Sequence, residues 1–121
     1  MLTIRPAAIG DAEAILKILA PAIQAGETYT LPRDLSPGAA LGYWFDAAHE
    51  VFVAEDEGRV LGTYFIQANQ KGGGSHVANC GYITAVDSYG RGVARAMCAH
   101  SMDHARARGF RDAIQLRGQH E

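Results

Sequence analysis

The chain has 121 residues, 48% of them hydrophobic and 20% charged, with a formal net charge of −2 and a pI near 6.2. That profile describes one globular domain burying roughly 60–70% of its unfolded surface, and it excludes a disordered chain or a general nucleic-acid binder. No apolar run is long enough to span a bilayer, MLTIRPAAIGD carries no secretory pattern, and Cys80 and Cys98 make no disulfide framework, so the expected compartment is the cytoplasm.

Residues 2–5 alternate and end at Pro6, which reads as a short strand. Residues 11–25 carry Ala12, Ile15, Leu16, Leu19 and Ile23 at helical spacing, with Pro21 expected to kink or split the helix and Gly26 to end it. Residues 27–35 read as a loop. Ser36 and Pro37 form an N-cap and first-turn pair for a second helix to about residue 48, with Leu41, Trp44, Phe45 and Ala48 on one side. Strands at 51–55 and 60–68 flank Asp56-Glu57-Gly58 and predict a hairpin. Gly72-Gly73-Gly74-Ser75 is a flexible connection, followed by a strand at 76–85. Gly81 inside that strand signals a bulge or a close backbone approach.

Residues 92–108 show a helical stripe of Val93, Ala94, Met97, Cys98, Ser101, Met102 and Ala105, ended by Gly109. A last strand covers 112–116, before a polar tail. The order is β-α-α-β-β-β-α-β. Strands joined through the helix at 92–108 must be parallel, because that connection is a crossover; the remaining pairs are expected to be antiparallel. The fold class is therefore α/β in the α+β sense, with a mixed sheet.

The sharpest motif is Tyr89-Gly90-Arg91-Gly92-Val93-Ala94-Arg95, between a strand and a helix. Glycines let backbone N–H groups approach a ligand closely, and the unpaired amides and dipole at a helix start attract a phosphate. Arg91 and Arg95 place positive charge at an end where helices prefer acids, as a bound anion would require. A solvated glycine turn is the plainer reading. The segment is neither a Walker A loop nor G-x-G-x-x-G.

Val86 through Ala94 resembles the acetyl-CoA loop of the GNAT superfamily of N-acetyltransferases, whose motif is [RQ]-x-x-G-x-[GA]. Gly92 and Ala94 match its last two fixed positions, and Tyr89 replaces the Arg or Gln. LTIRPA, Phe52–Gly62 as the hairpin and Ala105–Phe110 after the helix match in order and spacing. The resemblance implies a GNAT-like domain over residues 1–121, with acetyl-CoA as cosubstrate. Backbone amides across Tyr89, Gly90, Arg91, Gly92, Val93 and Ala94, with Arg95 beside them, would bind the pyrophosphate. The backbone of Ile83 and Thr84 would pair with the pantetheine arm. A small-molecule amine would enter past residues 26–35 and take the acetyl group directly.

Direct transfer needs no nucleophile, which leaves both cysteines as packing residues. Glu27 lies on the loop that lines the acceptor site in this family, and an acid there can hold the amine or act through water as base. Asn79 stands near a position where relatives of phosphinothricin acetyltransferase carry a catalytic Glu; Asn cannot be a base, but it can orient water or substrate. Tyr82, Trp44 and Phe45 are expected in the core first. His100 and His104 have a metal-compatible spacing, but without a third ligand they read as solvated histidines, and no metal is assigned. The family continues beyond the fifth strand with a further helix and strands. The chain therefore reads as truncated, with an open strand edge, an apolar patch beside it and self-association into a homodimer. The alternative to an active enzyme is an inactive remnant that binds CoA or pairs with itself.

Overall fold

The computed structural model describes residues 1–24, 36–68, 78–88, 90–107 and 114–118. Five strands form one sheet in the order β1-β2-β3-β4-β5: β1 Thr3–Pro6, β2 Glu50–Asp56, β3 Arg59–Ala68, β4 Ala78–Thr84 and β5 Ile114–Gly118. The first four pair antiparallel, and β5 runs parallel to β4, as the crossover requires. Helices α1 (Ala12–Gln24) and α2 (Pro37–Trp44) cover one face, and α3 (Val93–Ala107) covers the other. Among the described residues no helix is long and apolar enough to cross a membrane.

The helical spacing of α1 points Ile15, Leu19 and Ile23 into one cluster with Trp44, Val53, Phe65 and Ile83. Pro21 does not split this helix. It loses one N–H bond to the carbonyl of residue 17, and α1 still continues to Gln24. Ser36 caps α2 as expected, its Oγ accepting from the Ala39 N–H at 3.2 Å. α2 stops at Trp44 rather than near residue 48, which leaves Phe45 and Ala48 exposed. Trp44 itself is buried, and its indole N–H donates to Thr63 Oγ1 at 3.1 Å.

The second cluster packs Phe52, Leu61, Tyr64, Cys80 and Tyr82 under Val93, Met97 and Ala105 of α3. In α3's predicted stripe, Met102 is 44% exposed and Cys98 is only half-buried. His100 and His104 are half-buried and partnered rather than freely solvated, a departure from the sequence reading. Both rings lie about 5 Å from the Phe52 ring, His100 Nδ1 meets the Tyr64 hydroxyl at 2.7 Å, and His104 Nε2 meets Glu50 Oε2 at 2.7 Å. Burial and the neighbouring His104 hold the His100 pKa below the usual imidazole value.

Strand β5 reaches Gly118, past the predicted end at residue 116, so Arg117 and Gly118 continue the ladder with β4. The loop at 27–35, the 72–75 connection and Gly109 lie outside the described residues, as do the side chains of β5 on which the expected apolar patch depends.

Candidate functional site

The segment from β4 to α3 begins with Thr84 and passes through a 3-10 turn at Val86–Ser88. Ser88 N–H donates to Ala85 O at 2.9 Å, and Arg91 N–H to Ser88 O at 3.4 Å. Gly90 and Gly92 adopt φ of 81° and 77°. A Cβ at either would meet nothing within 4 Å, so glycine is needed there for backbone conformation and not for space. Ala96 N–H donates to Gly92 O at 3.0 Å, which makes Gly92 the residue from which α3 starts. Helix geometry then leaves the Val93 and Arg95 amides without an intrahelical carbonyl.

The side chains of Val93 and Ala94 point into the core, whereas Gly90, Arg91, Gly92 and Arg95 are exposed. The cradle therefore presents backbone and two arginines outward, and the Arg91 amide is already engaged by Ser88. Gly62 sets how closely α3 approaches the sheet. A Cβ there would fall 2.9 Å from Val93 Cγ1 and Met97 Cε, so a side chain on β3 would push the start of α3 away.

Ile83 and Thr84 pair with Thr63 and Gly62 of β3. Their other edge has no partner among the described residues, because the β4–β5 ladder ends at Tyr82 opposite Gly118. Ile83 is buried in the α1–α2 cluster, and Thr84 is 2% exposed with an Oγ1 that has no hydrogen-bond partner. A buried, unpaired hydroxyl costs free energy, and here it lies at the last residue of β4. An orphaned hydroxyl and a helix start fit a ligand with an anionic end.

Asn79 is the second residue of β4, opposite Gln67 on β3 and Gln115 on β5. It lies about 16 Å along the strand from Thr84, at about 3.3 Å per residue. Glu27 and Tyr89 lie outside the described residues. Cys80 is fully buried and its thiol is pushed up to about 11, chiefly by desolvation, which removes it as a nucleophile. Among the described residues no three His, Cys, Asp or Glu groups gather as a metal site.

Two ion pairs beside the cradle escaped the sequence reading. Arg59 bonds Asp87, and Arg91 Nη2 lies 3.7 Å from Asp56 Oδ2. The Arg59 guanidinium holds the Asp87 carboxyl below the usual range, and the terminal ammonium of Met1, with Arg91, does the same for Asp56. A cavity of about 840 Å³ opens on the α1 side of the sheet at this end, lined by Lys17, Ile18, Val60, Arg59 and Asp87 among others.

This arrangement is one that known proteins share. The profile of the acetyltransferase (GNAT) family matches residues 13–120. The chain belongs to the GNAT acetyltransferase family. It is similar to a GCN5-related N-acetyltransferase from Kribbella flavida, with 37% identity over 93% of this chain and 69% of that one and a TM-score of 0.84. The fold is also that of yncA from Salmonella typhimurium, solved with its cofactor acetyl-CoA (21% identity, 95% of this chain, 68% of that one, TM-score 0.78). A phosphinothricin acetyltransferase from Sinorhizobium meliloti in complex with acetyl-CoA shares it as well (20% identity, 91% and 62% covered, TM-score 0.76). No curated protein sequence matches the chain.

Proposed function

We propose that the protein is an acetyl-CoA-dependent N-acetyltransferase that transfers the acetyl group directly to a small-molecule amine. The observation that carries this reading is the segment after β4: Gly90 and Gly92 take positive φ and lead directly into the start of α3, with Arg91 and Arg95 exposed beside them. In this reading the Ile83 and Thr84 backbone takes the pantetheine arm as an added strand. The first amides of α3, with Arg91 and Arg95, take the pyrophosphate. The reaction breaks the thioester C–S bond, forms an N–C amide bond, and needs one proton taken from the amine and one given to the thiolate. Glu27 is proposed to hold or deprotonate the amine, and Asn79 to orient it or a water. The raised pKa of the buried Cys80 thiol supports direct transfer over an acyl-enzyme. Free thiols at Cys80 and Cys98 fit a reducing compartment, and the proposal places the activity in the cytoplasm.

The test is CoA-thiol release from acetyl-CoA over a panel of amines, alongside calorimetric titration of acetyl-CoA. Turnover with at least one amine is expected. Arg91→Glu should weaken acetyl-CoA binding by about tenfold, since it reverses a charge at the anion site. Unchanged affinity would mean that the anion site lies elsewhere. Binding without turnover on any amine would favour a second reading, a CoA-binding domain that pairs with another copy along β5, the outer strand of the described sheet. Light scattering would then give a dimer mass, and a monomer at high concentration would count against it.

A further inference from the structure

The four charged groups around the cradle are arranged reciprocally. The β2–β3 turn contributes an acid and a base, Asp56 and Arg59, and the β4–α3 segment contributes an acid and a base, Asp87 and Arg91. Each base crosses to the other segment's acid, Arg59 to Asp87 and Arg91 to Asp56. Asp56 also holds the Met1 ammonium at 2.8 Å. The turn itself is tight, with φ of 52° at Glu57 and 81° at Gly58 between Asp56 and Arg59.

We infer that these crossed pairs are a clasp that a polyphosphate ligand opens, so that Arg59 joins Arg91 as a ligand-binding residue and Asp56 and Asp87 act as built-in competitors for it. The inference rests on the reading of the cradle as a CoA pyrophosphate site.

The chemistry supports competition. Both arginines are half-exposed or more, at 59% and 50%, so each can swing without leaving a buried carboxylate behind. A guanidinium binds a phosphate with the same two-donor fork that it offers a carboxylate, and a pyrophosphate carries more charge than one carboxylate. The alternative role is purely structural, the clasp docking the hairpin and so keeping the cradle in shape. The two roles differ in sign. A competitor's removal tightens ligand binding, whereas removal of a structural strut loosens it.

The experiment titrates inorganic pyrophosphate and CoA separately into wild type and four variants, D56N, D87N, R59Q and R91Q, each checked for an intact thermal transition. The expected result is binding tightened roughly two- to fivefold by D56N and D87N and weakened by a similar factor by R59Q and R91Q. Weakening in all four, or no change in any, overturns the inference. Wild type that binds pyrophosphate but not CoA would remove the proposed function, while the sign pattern with pyrophosphate still decides the clasp. Wild type that binds neither probe overturns both.

Discussion

Gly81→Ala is expected to destabilise the protein by roughly 2–3 kcal/mol, the cost of overpacking a filled site, and to lower the thermal midpoint by about 10 °C for a domain of this size. The reason is the ring of Phe65, directly across from Gly81 in the β3–β4 ladder. A Cβ on residue 81 would lie 2.5 Å from Phe65 Cε2 and 3.0 Å from Cζ, against an ordinary carbon contact of about 3.5–4.0 Å. The ring cannot retreat. It is 2% exposed, stacked on His49 with centroids 3.9 Å apart, and met edge-on by Trp44 at 4.9 Å and Tyr43 at 5.9 Å. Relief should come from Phe65→Leu: the double variant should lose less than the two single losses added. Urea or thermal unfolding of the four proteins checks this. A Gly81→Ala midpoint equal to wild type would show that the aromatic cage yields. The prediction also bears on the proposed function, because β4 leads directly into the segment that carries Gly90 and Gly92.

Gly81 was readable in advance as a close approach, since a glycine inside an apolar strand has few other reasons to be there. The same local logic found the Ser36–Pro37 start of α2, the hairpin over residues 56–59, and the Ile15, Leu19 and Ile23 face of α1. The glycine turn ahead of α3 was readable for the same reason. Positive φ at Gly90 and Gly92 is a property of a few consecutive residues, and the helix start follows immediately. What failed depended on partners remote in the chain. Arg59 and Asp87 are 28 residues apart, and nothing in either neighbourhood announces the other. His100 and His104 were misread although a signal existed. They follow Met97 at three and seven residues, on the edge of the buried stripe, where helical spacing faces them toward the sheet. Periodicity gives the face, but only the sheet supplies Tyr64 and Glu50 to satisfy the two rings. Pro21, expected to kink or split α1, does not split it: the helix runs through it to Gln24.

Arg5→Met should lower stability at pH 7 by about 2 kcal/mol, between the values for exposed and buried ion pairs. Arg5 stands on β1 with every arm engaged. Its Nη1 and Nη2 bond Asp11 at 2.8 and 2.9 Å, its Nε and Nη2 bond Glu55 at 3.0 and 3.2 Å, and Nη1 also reaches Pro6 O. Asp11 in turn accepts the Ala8 N–H at 2.7 Å at the entry to α1. One fork thus joins β1, β2 and the start of the helix that covers the sheet. Methionine keeps much of the alkyl packing but leaves a carboxylate whose side chain is only 12% exposed without its cation. The Arg5 hydrogen bonds, against the opposing effect of burial, bring the Asp11 pKa down to about 2 from 3.8. A folded pKa below the unfolded one contributes stability above pH 4 that is lost as pH falls toward 2. The shift corresponds to about 2 kcal/mol in the wild type, of which about half is gone by pH 3. The variant lacks this contribution, so the gap between wild type and Arg5→Met should narrow as the pH is lowered from 7 to 3. Urea midpoints of the two proteins across that range measure it. A gap that stays constant with pH would mean that Arg5 acts through packing alone, and the pairing with Asp11 would then contribute nothing to the joint between β1 and α1.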